Sequence, residues 1–288
     1  MKIFYQYFLF LIFFILLFFC TNNIQSKNNF KQIPVPWVYS IKQHNDSIYF
    51  STSEKGIYRF KTDQPNKIDL VAASGKIPFR SLVFKDNGTL FASSYYTGVY
   101  ILKSEKLIPL LWAQYPCWSM KKDENNSLWI AGTKGIFFEK DSNMILFKEM
   151  YDAHDIAICK DKIFIAHMKG ITVYDRQNSN RIIKNICKDT VFWAIKNYND
   201  SLIIAGGLGV CLIIKKEQII KIPVQPKNNM IWAIDKNNNN FIFLGTQKGL
   251  FRIAPNQTKA EIVAYKNKCI KSIFIDSNGI LWVGTFYK

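Results

Sequence analysis

A seven-bladed β-propeller is the fold the sequence predicts, all-β and with an incomplete last blade, and three observations predict it. One plan, strand, Asx/Gly turn, strand, glycine, strand, recurs seven times along the chain. The bulky residue of the second strand falls at Tyr49, Phe91, Trp129, Phe164, Ile203, Phe243 and Trp282, at intervals of 42, 38, 35, 39, 40 and 39 residues. The repeats show no helical pattern, and a period near 40 filled with short strands is that of a propeller blade.

Ahead of the repeats stands a different kind of segment. Residues 1–20, "MKIFYQYFLFLIFFILLFFC", carry one charge, Lys2, and an apolar run from Ile3 to Phe19 interrupted by Gln6. That is the pattern of a signal peptide or a short membrane anchor, and it predicts export of everything after it, to the periplasm, outer membrane or cell surface. Cys20 closes the run and resembles the lipid-attachment cysteine of bacterial lipoproteins, with Leu17 suited to the position three before it and Phe19 where a small residue is the rule. Lipidation at Cys20, cleavage elsewhere and retention as an anchor are three open readings. Residues 21–28 form a polar linker, and the propeller is expected over 29–288.

Within the repeats each feature has a mechanical reason. The turns "DNG" at 86–88 and "DSNG" at 276–279 supply residues that tolerate positive φ, as a tight hairpin between the first two strands requires. Gly56, Gly98, Gly135, Gly170, Gly209 and Gly249 follow just before the third strand, where the absence of a Cβ permits a sharp turn between close-packed blades. A fourth strand precedes the next repeat, as in "KLIPLLWA" (106–113) and "QIIKIPV" (218–224). In the seventh repeat Lys288 aligns with Lys55, one residue before a turn glycine, so the sequence predicts a blade without its outer half and a product continuing past residue 288. "NFKQIPV" (29–35) is similar to "QIIKIPV" and is expected to return as the fourth strand of that blade, leaving the third place vacant.

Charge and cysteines bound the function. Lys and Arg number 38 against 21 Asp and Glu, a net charge of +17, which favours anionic partners or reflects a Lys- and Asn-rich composition spread over exposed loops. Export argues against nucleic acid as the partner. Cys117, Cys159, Cys187, Cys211 and Cys269 form no CxxC pair and have no histidine at metal-ligand spacing, so they read as small core residues, and no metal or cofactor is expected.

"DSNGILWVGT", and less fully "ENNSLWIAGTKGIF" and "NNNNFIFLGTQKGLF", resemble the two-component regulator propeller repeat, D-x-x-G-x-L-W-I-G-T followed by a glycine and an apolar pair. The resemblance spans roughly residues 37–288 and fades in the fourth and fifth repeats, "KIFIAHMKG" and "LIIAGGLG". It implies a periplasmic sensor propeller that responds to polysaccharide fragments. The family's usual kinase parts have no counterpart in this sequence.

The first strand supplies the candidate site. One residue ahead of its small-then-aliphatic pair stand Tyr39, Arg80, Trp118, His154, Trp193, Trp232 and Lys271, one per blade. Aromatic faces stack on sugar rings and cations pair with carboxylate or sulfate, the chemistry of an acidic-oligosaccharide site. The competing view makes the aromatics inter-blade wedges and the cations solvent-facing. Asp152, His154 and Asp155 are the one His-acid cluster, and their alternation along a strand does not spell out a triad, so a non-catalytic binding protein is the expectation. A cell-surface scaffold for an acidic protein partner, and a propeller hydrolase or lyase, are the alternatives.

Overall fold

The computed structural model describes residues 30–286 apart from 34, 36, 54, 111–114, 142 and 217. The chain divides into two units, residues 1–30 and 31–288, and nearly all of the first, including the signal or anchor segment with Cys20 and the linker, lies outside the described residues. The described residues contain 27 strands and no α-helix.

Six antiparallel meanders of four strands follow one another in chain order. Blade 1 is β2 to β5 (Val38–His44, Ser47–Thr52, Gly56–Lys61, Asp69–Ala73) and blade 2 is β6 to β9 (Phe79–Phe84, Leu90–Ser94, Gly98–Lys103, Lys106–Pro109). Blade 3 is β10 to β13 (Cys117–Lys122, Leu128–Gly132, Gly135–Lys140, Asn143–Glu149) and blade 4 is β14 to β17 (Ala153–Ile158, Lys162–His167, Gly170–Asp175, Ile182–Ile186). Blade 5 is β18 to β21 (Phe192–Asn199, Leu202–Gly207, Val210–Lys215, Gln218–Pro223) and blade 6 is β22 to β25 (Ile231–Lys236, Ile242–Thr246, Gly249–Ile253, Ala260–Ala264). The seventh sheet joins β26 (Ile270–Ile275) and β27 (Leu281–Thr285) to β1 (Phe30–Gln32), in the order β1-β27-β26.

That last sheet corrects the expectation of a vacant third place. β1 lies directly beside β27 and not one strand further out. Strands pair only at the spacing of adjacent neighbours, so a segment held across an empty place would leave both edges without partners. Just past β1, the Ile33 amide donates to the Val283 carbonyl (3.0 Å) and Gln32 Nε2 donates to Thr285 Oγ1 (3.2 Å). Ile33 is fully buried in a cluster with Phe50, Phe60 and Trp282, so the seam is apolar as well as hydrogen-bonded.

The core is divided among the spaces between blades. One cluster joins Phe164 and Val173 of blade 4 to Phe192 and Leu212 of blade 5, and another joins Ile204 and Ile213 of blade 5 to Leu244 and Phe251 of blade 6. The bulky second-strand residues are the wedges of this packing, with Trp129 3% and Trp282 1% exposed. The turn glycine has a direct steric cause: Gly56 sits at φ +126°, and a Cβ there would meet the Ala72 carbonyl oxygen at 2.1 Å.

The Asp and Trp of the repeat signature are mechanically linked. Asp276 Oδ1 accepts from the amides of Asn278 and Ile280 (both 2.9 Å) and its Oδ2 accepts from Trp282 Nε1 (2.7 Å). Asp123 does the same for Asn125, Ser127 and Trp129 Nε1 in blade 3. One carboxylate therefore closes the hairpin turn and satisfies the buried indole N–H. In Asp276→Ala the indole and two turn amides lose a charged acceptor, and the expected loss is about 2–4 kcal/mol, read by urea unfolding. Asp276→Asn, which keeps an acceptor oxygen, should lose less.

Candidate functional site

Every first strand breaks register at the same place, and that of blade 5 does so a second time between Asn197 and Asn199. The shift falls between Val38 and Ser40, Phe79 and Ser81, Cys117 and Ser119, and Ala153 and Asp155 in blades 1 to 4. In blades 5 to 7 it falls between Phe192 and Ala194, Ile231 and Ala233, and Ile270 and Ser272. The residue inside each shift is the one singled out from the sequence: Tyr39, Arg80, Trp118, His154, Trp193, Trp232 or Lys271. A bulge leaves its extra residue out of the ladder and re-aims its side chain. The residue before each bulge, from Val38 to Ile270, is 0% exposed in all seven blades, so the bulge sits between a buried anchor and the strand proper.

Adjacent first strands are tied to each other around the whole circle. Ser40 Oγ accepts from the Leu82 amide (3.1 Å) and Ser81 Oγ from the Met120 amide (3.2 Å). Ser119 Oγ donates to Asp155 Oδ1 (2.6 Å), and Asp155 Oδ2 accepts from the Ile195 amide (2.9 Å). Lys196 Nζ donates to Asp235 Oδ1 (2.6 Å), Asp235 Oδ2 accepts from the Ile275 amide (2.9 Å), and Ser272 Oγ donates to the Val38 carbonyl (3.0 Å). These bonds hold the seven bulges at one level.

All seven bulge residues line one cavity of about 280 Å³. Their side chains touch in sequence. The Arg80 guanidinium lies 4.8 Å from the Tyr39 ring and 5.0 Å from Trp118, with Tyr95 at 5.8 Å. Trp118 meets His154 edge-on at 5.5 Å, and His154 stacks toward Trp193 at 6.2 Å. Trp193 packs on Trp232 at 5.2 Å, and Lys271 Nζ sits 3.0 Å from the Trp232 ring centre. Phe286, 5.5 Å from Lys271 Nζ and 6.1 Å from Tyr39, closes the circle. The sequence reading missed Tyr95 and Phe286. Both directly follow a second strand, β7 or β27, and that shared position was the available signal.

The mouth is cationic and short of acceptors. Among the described residues no carboxylate pairs with Arg80 or Lys271, and the buried Nε of Arg80 and Nε1 of Trp232 have no hydrogen-bond partner. Burial, with a smaller contribution from the Arg80 charge, lowers the Lys271 pKa to about 8. Burial also lowers the pKa of His154, whose Nδ1–H donates to the Phe192 carbonyl (2.8 Å), leaving Nε2 as an acceptor. The His-acid cluster does not assemble. Asp152 Oδ1 accepts from Trp118 Nε1 (3.4 Å), and Asp155 is committed to Ser119, to the Ile195 amide and to Lys121 (3.0 Å).

Fold and mouth define a seven-bladed β-propeller with a ring-shaped, cation-bearing channel entrance. Residues 264–287 match the family described as two component regulator propeller. Among solved structures it is similar to the extracellular domain of BT4673 from B. thetaiotaomicron, described as a hybrid two component system. That match has TM-score 0.71 and 16% identity, covering 91% of this chain and 38% of the other, so this chain spans well under half of it. It is also similar to streptogramin B lyase (TM-score 0.71, 14% identity, 89% and 93% covered) and to the WD40 β-propeller domain of Doa1 (TM-score 0.71, 13% identity, 87% and 90% covered). A search of curated proteins found no match. At these identities the shared property is the fold.

The lowered Lys271 pKa has a definite sign for stability. A lysine that titrates near 8 when folded and at its ordinary value when unfolded carries its full charging cost below about pH 8, and sheds it as pH rises toward about 10.5. Stability of the wild type relative to Lys271→Met should therefore rise between those pH values, as read by urea unfolding of both proteins in parallel.

Proposed function

We propose that the chain is a non-catalytic, extracytoplasmic sensor propeller whose channel mouth binds an acidic oligosaccharide. The observation that carries this reading is the closed ring of aromatic and cationic bulge residues, in which Arg80 and Lys271 have no carboxylate partner among the described residues. Each feature suits one part of such a ligand. Trp193 and Trp232 offer adjoining faces for sugar rings, Arg80 and Lys271 offer charge for a carboxylate or sulfate, and neutral His154 offers an acceptor to a hydroxyl. The two-component regulator repeat and the similarity to an extracellular domain of such a system favour sensing and an exported location. The lyase similarity supplies the rival reading, and the committed partners of Asp152, His154 and Asp155 weigh against it.

Calorimetry against neutral and acidic oligosaccharides tests the proposal. Trp232→Ala should weaken binding by about 1–3 kcal/mol, roughly fivefold to 150-fold. Lys271→Ala should lose the preference for charged saccharides and flatten the dependence on salt. Wild-type protein that binds no saccharide, together with a Trp232→Ala variant that unfolds, would make the ring a structural collar. Turnover of any bound saccharide would favour the lyase or hydrolase reading.

A further inference from the structure

The channel does not end at the mouth. A second cavity of about 720 Å³ opens at the other ends of the first strands of blades 1 to 5, and Lys42, Met120, Lys121 and Asn197 line both cavities. These residues mark a waist between the two. At the position after the aliphatic residue of each first strand stand Lys42, Lys121, Lys196 and Asp235, with Val83, Ala157 and Phe274 in the remaining blades. Three cations thus line the channel at equivalent strand positions.

Their partners do not balance. Lys121 pairs with Asp155 (3.0 Å) and Lys196 with Asp235 (2.6 Å), and both carboxylates are also spent on the strand-to-strand bonds. Lys42 has no ion pair or hydrogen bond of its own among the described residues. Other acids in the second cavity are engaged elsewhere: Asp123 with Arg176 (2.7 Å), and Asp200 with the Lys160 amide (3.0 Å). A half-buried ammonium close to two further ammoniums is destabilised unless an anion joins it.

We infer that this waist is a binding site for a small oxyanion of the phosphate or sulfate class, held by Lys42 with Lys121 and Lys196 and reached through the larger cavity. Its occupant is distinct from the ligand of the aromatic mouth. The electrostatics agree with the geometry: burial first, then the charges of Lys121 and Lys196, lower the Lys42 pKa to about 8 against the opposing pull of Asp235 and Asp155. An anion in the waist would raise it again.

The test is calorimetric titration of inorganic phosphate into the full chain in detergent, at constant ionic strength and about pH 7. The expected result is saturable binding that Lys42→Gln weakens by about tenfold or more and Lys42→Arg retains. Lys42→Met, which keeps the aliphatic stem, serves in the same way if Lys42→Gln fails to fold. Trp232→Ala should bind phosphate as the wild type does, which separates a free oxyanion site from a charged end of the mouth's ligand. Absence of saturable binding in the wild type, equal binding in the Lys42 variants, or loss of phosphate in a Trp232→Ala variant that retains β-type circular dichroism (or in Trp232→Phe, should Trp232→Ala unfold) would each overturn the assignment. The first two outcomes leave the saccharide proposal untouched.

Discussion

The molecule depends on hydrogen bonds handed from each first strand to the next. A propeller blade is a small sheet that cannot bury both faces alone, so packing between blades holds the ring by apolar area, a force without direction. The bonds from Ser40, Ser81, Ser119, Asp155, Asp235 and Ser272 add direction, because each fixes the height of one strand against its neighbour. With heights fixed, seven separate bulges become one circle, and side chains from Tyr39 to Lys271 meet. The same bonds account for two acids at the channel wall. Asp155 and Asp235 each reach two strands and a lysine, which a serine cannot do.

Much of this was legible in the sequence, and the reasons differ by feature. The blade count followed from a period of bulky residues, because a wedge between blades has to recur once per blade, as Trp129 and Trp282 do. The candidate ring was legible because bulge residues are off the ladder and, His154 apart, only half-buried, so large aromatic and cationic side chains recur there at one position per repeat. Contacts around the ring were not legible. That Arg80 lies between Tyr39 and Trp118 depends on the distance between blades, and no spacing along the chain encodes it. The lysines of the waist were hidden for a related reason. In any one repeat Lys42 looks like an ordinary surface lysine of an alternating strand, and only closure of the ring sets it beside Lys121 and Lys196.

Placement of the N-terminal strand shows where pattern matching fails. "NFKQIPV" is similar to a fourth strand, and that similarity suggested a fourth-strand place. Pairing obeys adjacency instead, so the free edge of β27 captured the segment and Ile33 filled the gap beside Trp282. An unpaired edge is a stronger determinant than likeness between outer strands, whose exposed side chains carry little positional information.

The seventh sheet also sets an order of assembly. Every hairpin of blades 1 to 6 forms between neighbours in the chain, but the bond from Gln32 to Thr285 spans 253 residues. Bringing such distant segments together costs roughly (3/2)RT ln n in chain entropy, about 5 kcal/mol before any contact rewards it. That cost falls sharply once the intervening blades have stacked into an arc whose ends already face each other. Closure is therefore expected to be the last event of folding, and an arc not yet closed would present the edge of β27 to any strand nearby.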